Sequence, residues 1–229
     1  MTDESTLAAF RLADSFLPVG TYTVSYGLEQ FVQDERVTDA ADLRALLATY
    51  LRRQVGPAEL VALRAAHTAA TAGDVAAVCE ADRRLTATTL SAEFRESAQK
   101  SGARLLSLQR DLRADDTLDA YAARVDAGDA PGNYAVVLGL ATAVAGVEER
   151  VACLLCCHGF VTGLLGAAQR LLSLGHTDAQ RLLDELRPVS VEAVDASADR
   201  SLDEMTPFAP LVDVLSADHE RADRRLFVS

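Results

Sequence analysis

The chain has 229 residues, 49% of them apolar, enough for one well-filled core and too apolar for wholesale disorder. Its formal charge of −12 repels phosphate backbones, which excludes nucleic acid as an expected partner. Lys100 is the only lysine among 22 basic residues, and this arginine bias, with excess carboxylates and abundant alanine, describes a surface suited to high salt, with GC-rich codon usage contributing.

The amino terminus, MTDESTLAAFRLADS, is acidic and lacks the basic segment and apolar run of a secretory signal, so a cytoplasmic location is expected. Next comes FLPVGTYTVSYGLE (16–29), a Pro-x-Gly break followed by the hydroxyl side chains of Thr21, Tyr22, Thr23 and Ser25, among others, and a second glycine. It fails as a phosphate loop, because six residues separate Gly20 from Gly27 and no lysine follows. It fails as a nucleophile elbow, because Ser25 has no glycine two residues before it and no strand precedes it. What remains is a corner between helices, with Pro18 ending one, Gly20 permitting the turn and Thr21 or Thr23 capping the next.

Thr38-Asp39 signals a helix start, and Leu43, Leu46, Leu47, Tyr50 and Leu51 then fall on one face. Gly56-Pro57 and Gly73-Asp74 predict breaks. Phe94, Ala98, Ser101, Leu105, Leu108 and Leu112 form one stripe of a long amphipathic helix. GDAPGN (128–133) is a break before the uncharged YAVVLGLATAVA (134–145), and Gly146 ends that run. Residues 151–169, VACLLCCHGFVTGLLGAAQ, carry no formal charge either. A run of about 18 or more apolar residues is a membrane-span candidate. His158, Thr162, Gln169 and three internal glycines, with no second span, favour instead a helix buried on all sides, and no membrane is expected. Gly159, Gly163 and Gly166 would then let another helix approach closely, with 134–145 as the candidate. Further breaks are predicted at Gly175, Arg187-Pro188 and TPFAP (206–210). Strand patterns are nearly absent, so the expected fold is all-α, a single-domain antiparallel bundle of roughly ten helices spanning 1–229.

Cys153 and Cys157 share a helix face, with Cys156 and His158 beside them, so this cluster is the candidate metal site. A tetrahedral site needs four ligands, and no second Cys or His pair is spaced to supply them. Core packing is the favoured reading, and no metal or cofactor is expected. His67, His158, His176 and His219 lie far apart, and Asp223 stands where a His-Glu-x-x-His motif starting at His219 would need its second histidine. No catalytic constellation assembles, so the chain is not expected to be an enzyme; a small helical metal-binding enzyme or regulator built on Cys153–His158 is the alternative. The segment 216–229 reads as a tail whose apolar end, Leu226-Phe227-Val228, follows Arg224 and Arg225 and can serve a partner.

Taken together, these motifs resemble the UreF family of urease accessory proteins. The resemblance rests on RLADSFLPVGTYTVSYGLE, on EADRRLTATTLSAEFRESAQKSGARLL, on GNYAVVLGLATAVAG with AAQRLLSLGHTDAQRLL, and on the terminal HERADRRLFVS, in that order along the whole chain. It implies an all-α, dimerising, non-enzymatic adaptor that joins UreD (also called UreH) and the GTPase UreG to deliver nickel to apo-urease, and that also regulates the GTPase. It further implies partner contacts at Pro18, Gly20, Ser25, Tyr26, Gly27, Leu28 and Glu29, at Gln169 and Arg170, and at Arg225, Leu226 and Phe227. Ser25 and Glu29 are expected on a surface that another subunit reads, and Arg170 is the candidate contact to the GTPase. The chain departs from the family at Thr21, where a second glycine is common, at Asn133, where histidine is common, and at His176, where glutamine is common.

Overall fold

The computed structural model describes residues 2–14, 16–20 and 25–220, with side chains of the last helix as far as Ala217. These residues form α1 (Asp3–Ala13), α2 (Leu28–Gln33), α3 (Ala40–Tyr50), α4 (Leu60–Thr71), α5 (Val75–Thr88) and α6 (Ala92–Leu112). They continue as α7 (Asp116–Asp126), α8 (Tyr134–Val144), α9 (Glu149–Leu171), α10 (His176–Ala196) and α11 (Pro210–Glu220). No strand occurs among the described residues, which agrees with the all-α expectation. One contiguous core runs from Leu12 to Leu215.

The helices begin where side-chain oxygens can take up orphan amides. Asp39 Oδ1 accepts from the N–H groups of Ala41 and Asp42 at 2.8 and 2.9 Å, and Asp115 Oδ1 accepts from Thr117 and Leu118 at 2.9 and 3.0 Å. Leu43, Leu47, Tyr50 and Leu51 are fully buried, as their spacing predicts. The stripe on α6 drifts toward its end: Leu105, Leu106 and Gln109 are buried, while Leu112 is exposed.

Two predicted breaks are absent. At Gly56-Pro57 the chain does not stop but widens into a π-helical segment, Leu51–Glu59, that joins α3 to α4 in one rod. Pro57 has no N–H to return to the Arg53 carbonyl, which would ordinarily end the helix. Here Leu60 N–H reaches five residues back to Val55, and the freed Arg53 oxygen accepts the N–H of Phe208 at 2.8 Å. At Arg187-Pro188 the helix likewise continues, because Leu186 and Val189 on either side of the proline are both buried.

The helix buried all round is α8, not α9. Every residue from Ala135 to Thr142 is buried, whereas α9 buries one face and leaves Val151, Leu154, Leu155 and Phe160 half-covered and His158 exposed. The close-approach glycines also differ from expectation. A Cβ at Gly139 would stand 2.5 Å from the Leu63 carbonyl oxygen of α4, and one at Gly102 would collide with the Gly132 carbonyl oxygen. At Gly159 and Gly166 no atom lies within 4 Å of an added Cβ.

The start of α8 is pinned by a buried carboxylate. Asp82 on α5 accepts from Tyr121 Oη at 2.7 Å, from the Gly132 N–H at 2.6 Å, and from the N–H and Nδ2 of Asn133 at 3.0 and 2.7 Å. Asn133 Nδ2 also reaches Thr86 Oγ1 at 2.7 Å. Asn133 therefore has a structural task at the position where the family often carries histidine.

Gly102→Ala and Gly139→Ala are each expected to lower stability by about 1–3 kcal/mol, because a backbone must move to admit the methyl group. Gly159→Ala is expected to be neutral or to stabilise α9 by about 0.5–1 kcal/mol. Urea-unfolding midpoints of the three variants check this, and equal losses at all three would contradict the packing described.

Candidate functional site

The segment 16–29 is a corner, and its described residues show how it is held. Asp14, the C-cap of α1, donates its N–H to the Arg11 carbonyl at 3.3 Å, and it holds the turn that follows by accepting from Phe16 N–H through Oδ1 at 2.9 Å and from Leu17 N–H through its carbonyl at 3.0 Å. Gly20 has φ +76°, a left-handed conformation in which a side chain is strained. On the far side Tyr26 has φ +46° and Gly27 φ +76°, and Gly27 is the N-cap of α2. The strain at Tyr26 is offset by its neighbours. Tyr50 Oη donates to the Tyr26 carbonyl, and the Tyr26 ring lies 5.2 Å from that of Phe94 and 5.0 Å from that of Phe160. Gly27 is needed for a second reason, since a Cβ there would stand 3.0 Å from Ser216 Oγ on α11.

This arrangement corrects the expected orientation of the polar side chains. Ser25 and Glu29 are buried, at 0% and 1% exposure, so neither lies on the surface of the chain. Glu29 Oε1 accepts from Gln33 Nε2 at 3.3 Å. Two apolar residues of the corner do face outward, Pro18 and the 91% exposed Phe16, while Val19 and Leu28 are buried. Sequence reasoning passed over Phe16 because an aromatic beside a helix break looks like core.

Gln169 and Arg170 lie near the end of α9, where Gln169 Nε2 is 3.0 Å from His176 Nδ1 and Arg170 Nε donates to the Gly166 carbonyl at 3.2 Å. The described part of the corner lines a cleft with the same helix earlier, around His158, Gly159, Thr162 and Gly163. Arg225, Leu226 and Phe227 lie outside the described residues.

The cysteine cluster does not assemble a metal site among the described residues. Cys153, Cys156 and Cys157 are buried, and His158 is exposed on the other side of α9. Burial pushes the thiols of Cys153 and Cys157 up to about 12 and that of Cys156 well above its ordinary value, so they remain protonated core groups rather than thiolate ligands.

A polar group missed by sequence reading is Glu59, at the end of the π-helical segment. It lines an internal cavity of about 70 Å³ with Gln54, Tyr26, Phe94, Tyr134 and Phe160. Burial pushes its carboxyl up from the ordinary 4.5 to about 7. The folded chain therefore retains a proton there that the unfolded chain has released. This contribution to stability is complete below about 4.5 and is lost as pH rises through about 7. Glu59→Gln, neutral throughout, is expected to flatten that part of the pH dependence and to be the more stable protein at about pH 8. Unfolding midpoints of both proteins at about pH 5 and about pH 8 check it; parallel changes would contradict the assignment.

A family model described as UreF matches residues 37–187. The chain is 36% identical to the urease accessory protein UreF of Trichodesmium erythraeum, over 97% of this chain and 96% of that protein. It is 32% identical to urease accessory protein UreF 1 of Brucella melitensis, over 97% and 92%, and 29% identical to UreF of a Bacillus species, over 97% and 98%. With its all-helical bundle and a similarity that runs almost end to end, the chain belongs to the UreF family of urease accessory proteins.

Proposed function

We propose that this chain is a non-enzymatic adaptor of urease maturation, acting in the cytoplasm as a homodimer that joins UreD (UreH) and the GTPase UreG for nickel insertion into apo-urease. The observation that carries this reading is the near full-length similarity to proteins named urease accessory protein UreF. The surface supports an adaptor. Leu7 and Phe10, three residues apart on α1, are each 66% exposed, and Phe16 follows in the corner. Phe208, Leu211 and Val214 are exposed at and before the start of α11, the helix that leads to Arg225, Leu226 and Phe227. Large apolar side chains gathered in this way are suited to interfaces.

Pro18, Phe16 and the α11 face are the proposed partner-facing residues, while Gly20, Ser25, Tyr26, Gly27 and Glu29 act by shaping the corner from inside. Gln169 and Arg170 remain proposed partner contacts, with Arg170 the proposed contact to the GTPase. The long apolar helix α9 has length and composition enough to cross a membrane, but half of its most apolar window is buried inside the fold, which supports a core helix and no membrane partner.

Co-expression with UreD- and UreG-type partners tests the reading. The chain is expected to co-purify with both at the high salt its surface suits, and a folded chain that binds neither would overturn the proposal. Phe10→Ala with Phe208→Ala is expected to weaken capture by about tenfold or more. Arg225→Ala is expected to weaken it through loss of a charge-assisted contact. Thermal melting should be little changed in these variants, and capture unchanged by Arg225→Ala would refute the role given to the tail.

A further inference from the structure

The cavity beneath the corner contains two acceptor atoms without partners. Glu59 Oε2 and Gln54 Oε1 are both buried, and neither has a hydrogen-bond partner among the described residues. They stand five residues apart in the π-helical segment, whose i→i+5 pattern brings such positions to the same side. Both line the cavity of about 70 Å³, which also presents the rings of Tyr26, Phe94, Tyr134 and Phe160. Among the described residues no arginine, lysine or histidine lines this cavity or the smaller one beside it, which Gln54 and Glu59 also border. A buried carboxylate with no cation among its described lining residues is left to be neutralised by a proton or by something that enters.

We propose that this cavity is a binding site for a small primary ammonium ion, its N–H groups donating to Glu59 Oε2 and Gln54 Oε1 and its short carbon tail lying among the aromatic rings. Both orphan atoms accept, so the occupant must donate. The carboxylate favours positive charge, and ring faces attract cations. The volume is several times the ~10–15 Å³ that one water needs, so there is room for a head group and a tail. On the glycine side of α9 the cavity adjoins an outer cleft at Asp14 and His158, with Tyr134, Gly159 and Gly163 bordering both.

Proton and amine compete for Glu59, and its surroundings keep that competition simple. Tyr26 and Tyr134 face it as neutral phenols and Cys156 as a neutral thiol, all held protonated by burial. Asp213 on α11 borders the smaller cavity, and burial raises its carboxyl too. Because the Glu59 carboxyl titrates near 7, the amine binds more tightly above that pH than below it.

Thermal melting of the full chain in methylammonium and propylammonium chloride tests the site against sodium, potassium and tetramethylammonium chloride at equal ionic strength. The melting temperature is expected to rise with the two primary amines alone, more at about pH 8 than at about pH 6, and the rise should vanish in Glu59→Gln. Isotope-labelled methylammonium should show a bound NMR signal in the wild type. Tetramethylammonium has no N–H and potassium cannot donate, so an equal response to either would overturn the proposal. So would an amine response that survives Glu59→Gln. If that variant does not fold, the wild-type contrast between methylammonium and tetramethylammonium decides alone.

Discussion

Neither Gly139 nor Gly102 can accept a methyl group unless a neighbouring backbone moves, and the rest of the bundle is arranged around these two contacts. They allow the uncharged α8 to lie against α4 and the loop before α8 to press onto α6. A helix surrounded in this way leaves no face for charge, so the carboxylates and arginines are displaced to the outer helices. Asp82 is one exception, beside Glu29 and the buried Oε2 of Glu59. Asp82 is buried because Tyr121, Gly132 and Asn133 together supply the hydrogen bonds that water would otherwise provide. The same bonds set where α8 begins.

Charge pairs on the outside contribute far less. Arg44–Glu185, Arg52–Glu192 and Arg150–Asp195 all tie to α10 across exposed surface, where water and salt screen them. Arg64 is of a different kind. Only 11% exposed, it bonds Glu149 on α9, the Val194 carbonyl at 2.8 Å and Ser197 Oγ at 3.0 Å, and so joins three helices at one side chain.

The faces proposed for partners rest on this interior through a few backbone links. Pro57 frees a carbonyl that holds Phe208, Gly27 leaves space for Ser216, and Tyr50 fixes the Tyr26 carbonyl. The corner at 16–29 and the start of α11 are therefore attached to the same rod, α3 through α4. Exposed aromatics mounted on such a scaffold present a defined shape, which lowers the ordering cost of binding. The π-helical segment that frees the Arg53 carbonyl also buries the Glu59 Oε2.

The helix content and most boundaries were legible in the sequence because they are local. The spacing of Leu43, Leu47, Tyr50 and Leu51 defines a face whatever lies opposite, and Asp39 caps with its own side chain. The motif order likewise identified the family, and PVG with YGLE correctly marked a turn. What only the tertiary structure decided was which neighbour each segment meets. Pro57 and Pro188 read as breaks, yet Phe208 satisfies the Arg53 carbonyl from a distant part of the chain, and buried neighbours hold α10 straight through Pro188. The place of the helix buried on all sides, expected for 151–169, is taken by α8, because composition cannot say which of two apolar helices has partners on every side. Ser25 and Glu29 look like surface residues by type and are interior by position, as is Glu59, which no local pattern marks. Periodicity and capping act within a few residues, whereas burial and pairing depend on contacts between segments far apart in the chain.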